Sequence, residues 1–318
     1  MAIAYGAPLE RGFIRMRKAL FSPFDLGKWF TIGFTAFLAE IVNSRNGGGG
    51  GGGGDSPIHG RSHWDWGDLA SIPGVALDWI RDHPGWFLLG GLALVAILAV
   101  VVALTWVSSR GKFMFLCNVA RDESKVARPW KDYRQEGNSL FLWRLVFGLI
   151  CLVPILLLFG SVLHLVVTLD HGGHPTGVGV LGIIAAILAG VSLFAVIGFI
   201  DLMLDSFVVP IMYKHRLGAV PAWKRFLSLF FRHPWHFVLY GLMVLVLHIL
   251  VTAVVFVLGL LTCCIGFLLL ILPYIGSVLM LPVSYTLRAF SIEYLGQFGT
   301  EYDVFGAPPE PGEAGGSR

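Results

Sequence analysis

The sequence predicts an all-α polytopic membrane helix bundle, with six transmembrane helices, interfacial amphipathic elbow helices and both termini in the cytoplasm. Three observations predict it. Of 318 residues, 56% are hydrophobic and only 14% charged, whereas soluble domains carry roughly 25% charged residues. The charges are missing from long blocks and gathered between them, as when bilayer spans alternate with wet loops. With six spans and an inside amino terminus, only Arg45, Arg61 and Arg81 of the 23 Lys and Arg fall outside, which satisfies the positive-inside rule.

The elements follow in chain order. Residues 1–25 form a cytoplasmic amphipathic elbow carrying Arg15, Arg17 and Lys18. They hold no apolar run long enough for the core of a cleavable signal peptide. The first span, 26–43, is short and contains Glu40. Charge decides in its favour. Without it, Arg110, Lys112, Arg121, Lys125, Arg128, Lys131 and Arg134 would all lie outside. Lys28 reaches the inner headgroups and lengthens the usable span.

The glycine-rich outer loop, 44–83, opens with glycine from 47 to 54 and reads as flexible coil. After it, Leu69, Ile72, Val75, Ala76, Trp79 and Ile80 make an apolar stripe at helical spacing, a short helix on the outer surface. Spans at 87–107, 145–169, 178–200, 237–261 and 267–288 complete the transmembrane domain, which runs over 26–305. Pro154, Pro273 and Pro282 lie within these blocks, as membrane helices tolerate. In 178–200, Ala185, Ala186, Ala189 and Gly190 allow close helix approach. Residues 306–318, rich in Pro, Gly and Glu, read as a disordered tail.

A basic stretch precedes each odd-numbered span. The second carries Trp130 and Lys131, the third Trp223, Lys224 and Arg225. Trp130, Trp223 and Arg15 each stand 18 residues before a glycine, Gly148, Gly241 and Gly33. This reads as three degenerate copies of an elbow plus a transmembrane hairpin. The elbows face anionic lipid headgroups at the cytoplasmic side, where each Lys or Arg gains about 1 kcal/mol.

Two polar sets lie at membrane depth, where ionisable groups are costly and therefore candidates for function. Asp201 and Asp205 are one helical turn apart, with Asp201 about 34 Å below the start of its span at ~1.5 Å per residue. Arg144 and Arg288 sit at the same level, so the four form a candidate inner-rim ion-pair layer. Glu40 and His248 each lie 12 residues beyond an inner-boundary residue, Lys28 and His236. They meet as an intramembrane pair able to carry protons, or else Glu40 lies near the outer interface and His248 bonds a neighbouring carbonyl.

The sequence holds no catalytic motif. It lacks a Ser/His/Asp set, HExxH and a proteolytic Asp pair, so an intramembrane enzyme is only the third reading, and no cofactor, metal site or nucleic-acid partner is expected. His171 and His174 flank two glycines and read as a turn. Cys117, Cys151, Cys263 and Cys264 make no disulfide framework.

Two stretches carry a resemblance. One is Pro23-Phe24-Asp25-Leu26-Gly27-Lys28-Trp29 with its short span and polyglycine loop. The other is LPYIGSVLMLPVSYTLRAFSIEYLGQFG at 272–299. Together they resemble an uncharacterised prokaryotic family of six-helix membrane proteins. More distantly, the layout is similar to the membrane domain attached to some glycerophosphodiester phosphodiesterases, whose chemistry resides in a separate soluble barrel. The resemblance implies the fold and a prokaryotic plasma membrane, and no activity. The expected function is a non-enzymatic scaffold or accessory protein that meets membrane lipids, and a protein partner or second copy. The alternative is a small transporter or channel using Glu40, His248 and the inner-rim ion pairs.

Overall fold

The computed structural model describes residues 3–42, 84–170, 177–262 and 265–305. The glycine-rich loop and its surface helix, the His171–His174 turn, Cys263, Cys264 and the 306–318 tail lie outside the described residues. Within them the chain is helical, without a strand.

Short helices α1 (Gly6–Phe21) and α2 (Leu26–Glu40) come first. The turn between them explains the Pro-Phe-Asp-Leu-Gly-Lys-Trp motif. The Asp25 side chain accepts from Gly27 N at 2.8 Å and caps α2. Trp29 Nε1 donates to Leu20 O at 2.8 Å, which satisfies a carbonyl that the end of α1 leaves without an intrahelical partner.

The long helices are α3 (Pro84–Arg121) and α5 (Arg134–Asp170), with the short α4 (Ala127–Asp132) between them. Next comes α6 (Gly177–Met203), which passes into a π-helical turn, Leu204–Val208, and then α7 (Val209–His215). An elbow, α8 (Ala219–Arg232), leads into α9 (Pro234–Leu261). The last apolar block is divided into α10 (Ile265–Ile271), α11 (Pro273–Leu279) and α12 (Leu281–Gly296), and a 3₁₀ turn follows at Thr300–Tyr302.

Among the described residues, four helices are long and apolar enough to cross a membrane: Leu88–Arg121, Arg134–Leu165, Leu181–His215 and Pro234–Leu261. With 15 residues, α2 reaches about 22 Å at 1.5 Å per residue, short of a ~30 Å hydrocarbon core. The 267–288 block is interrupted because Leu272 precedes a proline and takes extended angles, φ −69° and ψ 114°. Pro154, by contrast, lies inside an unbroken α5.

The chain forms two compact units. The first comprises 1–50, 104–144 and 201–318. Its core is aromatic. Phe207, Phe226, Phe237, Tyr240, Phe290 and Tyr294 are all nearly solvent-free, and Phe207 meets Tyr240 with ring centroids 4.7 Å apart. Here α1 lies along α12 so closely that a Cβ on Gly12 would stand 3.0 Å from Phe290 N. α2 crosses α3 at Gly111, whose added Cβ would fall 2.6 Å from the carbonyl carbon of Leu38. Ser108 Oγ donates to Ala39 O at 2.8 Å across the same crossing. The α2 carboxyl end is thereby pinned with Glu40 as its last helical residue.

The second unit comprises 51–103 and 145–200. Its helices turn large apolar side chains outward, as with Leu88 (72% exposed), Leu157 (70%) and Leu181 (67%). Each would gain about 1.5–3 kcal/mol on leaving water, and a continuous surface of this kind is a membrane surface. Gly182 faces Leu165 closely enough that a Cβ would lie 2.9 Å from its Cδ1.

Candidate functional site

The candidate site is a charged chamber inside the first unit. Its volume is about 100 Å³, and its walls include Glu40, Lys112, Asp205, His248, Ser284 and Arg288. That is room for several waters or a small polar group, since one water needs about 10–15 Å³ by this measure.

Each wall is set by a local feature. α2 ends at Glu40, so this carboxylate projects from a helix terminus held by the Gly111 and Ser108 contacts. On α12, Ser284 lies in the first turn and Arg288 one turn further on. The π-helical turn carries Asp205. Such single wide turns recur at functional positions, because they re-aim side chains relative to a regular helix.

Lys112 is 1% exposed, and its Nζ donates to Asp205 Oδ1. Arg288 donates through NH1 to the backbone carbonyl of Asp205 at 2.5 Å. Arg144 donates to Ser108 Oγ at 3.2 Å, and its charge also acts on Asp205 and Lys112. Asp201 attracts Lys112 from the same region. The four residues expected in an inner-rim layer are thus brought together, but around a fifth, Lys112, which sequence reading assigned only to the cytoplasmic charge count. The chamber therefore joins α2, α3, the π turn, α9 and α12.

Glu40 and His248 line the same chamber. His248 Nδ1 is engaged by Val244 O at 2.8 Å, one turn back on α9. Glu40 Oε2 is buried and has no hydrogen-bond partner among the described residues. An acceptor left in that state costs about 1–3 kcal/mol or more.

The elbow residues have varied surroundings. Arg17, Lys18, Lys131, Lys224 and Arg225 are exposed. Arg15 donates from Nε to Glu293 Oε1 at 2.7 Å and lies 3.7 Å over the Phe305 ring, so its charge is spent on α12 and the segment after it. Trp130 packs edge-on against Trp106 at 5.8 Å, while Trp223 stacks on Trp143 at 5.2 Å. Both indoles are half-buried. After α4, Tyr133 stacks on Tyr213 at 4.9 Å, and the Arg216 guanidinium lies 3.8 Å over it. Burial pushes the Tyr133 phenol up, which keeps it neutral.

Cys117 and Cys151 are free thiols. Among the described residues, no group of three His, Cys, Asp or Glu is placed to hold a metal. The profile of a family of unknown function (DUF7544) matches residues 9–292. No curated protein and no solved structure matches the chain.

Proposed function

The chain belongs to this family of unknown function (DUF7544), so its role has to come from its own side chains, and we propose a non-enzymatic membrane scaffold that organises anionic lipid at the cytoplasmic face. It has six spans in a prokaryotic plasma membrane, with α2 and the α10–α12 series completing the four long helices, and both termini on the cytoplasmic side. The likeness to the membrane domain of some glycerophosphodiester phosphodiesterases belongs to this proposal as an analogy of layout.

One observation carries the reading. α1 and α8 each bury one stripe (Met16, Ala19 and Leu20; Ala222, Phe226 and Leu229) and still expose large apolar groups beside bases. Phe13, Ile14 and Phe21 accompany Arg17 and Lys18, and Phe231 accompanies Lys224 and Arg225. Apolar groups interleaved with Lys and Arg suit the headgroup layer of an anionic leaflet. The test is lipid analysis of protein extracted in native-membrane nanodiscs. The triple variant Arg17→Gln/Lys18→Gln/Lys131→Gln should lose the enrichment of anionic over zwitterionic lipid that wild type carries. Equal lipid profiles would remove the proposal.

The chamber favours a second reading, a small transporter. A helix interrupted beside buried charges, as α11 and α12 are beside Glu40, is the usual geometry of a transport site. On this reading Glu40→Gln abolishes a proton-linked flux in proteoliposomes and leaves the fold intact.

A further inference from the structure

A second cavity, of about 420 Å³, opens between α8 and the segment after α12. On the α8 side, Arg225, Ser228 and Arg232 lie three and four residues apart and make one stripe. His233, where α8 turns into α9, continues it. The opposite wall holds Phe298, Glu301 and Tyr302. The Gln297 amide fixes this wall to the amino-terminal segment, donating to Ala4 O and accepting from Ala4 N, both at 2.9 Å. Neither Arg225 nor Arg232 makes a hydrogen bond or ion pair among the described residues.

We infer that this cleft binds the phosphodiester headgroup of an anionic phospholipid. Two guanidiniums on one helix face offer planar forks to phosphate oxygens, and the Ser228 hydroxyl stands between them. Glu301 sets the charge that fits. Two arginines and one carboxylate leave a single net positive charge, which matches a monoanionic diester better than a dianionic free phosphate. Burial, with the Glu301 carboxylate beside it, pushes the Tyr302 phenol up, so it stays neutral. The surroundings suit an amphiphile, because Phe231 and Trp235, which flank the lining residues Arg232 and His233 in the chain, are 74% and 81% exposed. Both stand next to the start of the apolar 237–261 block, at headgroup depth.

The inference rests on the lipid-interface reading but names a discrete site, so the two can fail separately. The experiment is isothermal titration of the full chain in neutral detergent with dihexanoyl phosphatidylglycerol, with dihexanoyl phosphatidylcholine and inorganic phosphate as comparators. Saturable one-site binding of the glycerol lipid is expected, with phosphatidylcholine weaker. Arg225→Gln/Arg232→Gln should weaken it by about tenfold or more. Arg225→Lys/Arg232→Lys should recover part of that loss, because it keeps the charge without the fork. The Arg17→Gln/Lys18→Gln/Lys131→Gln variant lies outside the cleft and should bind as wild type does. Identical titrations by wild type and the Gln double variant would overturn the cleft. Inorganic phosphate binding as tightly as the lipid, with the same dependence on the arginines, would overturn the lipid as the source. If the elbow variant keeps its lipid profile while the cleft variant loses binding, the site stands and the scaffold reading falls.

Discussion

Replacing Asp205 by Asn strands an ammonium inside the first unit. The Lys112 side chain is 2% exposed and that of Asp205 18%, so water screens little of their attraction. Removing one member of a buried ion pair costs about 3–5 kcal/mol, because the survivor keeps its desolvation penalty and loses its counter-charge. Asp201 still attracts Lys112 in the variant, which puts the expectation near the lower figure, about 3 kcal/mol. At roughly 2–4 °C per kcal/mol for a chain of this size, the unfolding midpoint should fall by about 6–12 °C. Lys112→Met should cost less, about 1–3 kcal/mol, because Arg288 and Arg144 continue to act on Asp205. Lys112→Met/Asp205→Leu, which removes both charges and keeps the volume filled, should return to within about 1 kcal/mol of wild type. Thermal unfolding in detergent, followed by tryptophan fluorescence and assembled into a double-mutant cycle, measures all four states. The reasoning is refuted if Asp205→Asn unfolds within about 1 °C of wild type and the cycle shows no coupling.

Other predictions concern the same unit. Gly111→Ala places a methyl against the Leu38 and Ala39 backbone, which cannot rotate away; it should cost about 1–3 kcal/mol in the same unfolding assay. Arg15→Ala breaks the contacts with Glu293 and Phe305, but Arg15 is 46% exposed, so solvent screening holds the loss under about 1 kcal/mol. Glu40→Gln supplies donors beside an oxygen that has none, so its midpoint should equal or exceed that of wild type; a clear fall would mean that the ionised carboxylate is structural. In sealed cells, a cysteine introduced at position 125 or 224 should resist a membrane-impermeant thiol reagent from outside, and labelling there would reverse the proposed topology.

The apolar blocks were legible because a bilayer asks for composition alone. Where they end in structure was less so. Reading stopped one helix at residue 107, where the apolar run finishes, yet α3 continues to Arg121. Ser108, Ser109 and Gly111 look like a loop signal. Ser108 and Gly111 serve instead to let α2 approach, and Phe113 to Leu116 beyond them are buried against protein. Lys112, counted in the sequence only as a charge on the cytoplasmic side, is buried there against Asp205. Depth counting put Arg144, Asp201, Asp205 and Arg288 at one level, whereas the π turn that carries Asp205 could not be anticipated, since no local residue pattern announces it. Arg15 read as a headgroup contact because Glu293, its partner, lies 278 positions away. The cleft of Arg225 and Arg232 escaped for a similar reason, since its far wall comes from the end of the chain.

The packing of α1 along α12 sets an order of events during synthesis. A ribosome must add the 278 residues that separate Arg15 from Glu293 before the two can meet, a delay of roughly 15–55 s at 5–20 residues per second. For that interval the Met16, Ala19 and Leu20 stripe has no final partner. On the proposed lipid-interface reading, the bilayer surface would hold such a stripe and its neighbouring bases as a waiting berth for the nascent helix. The first helix made is thus among the last to dock, and a chain cut short before α12 leaves it adrift.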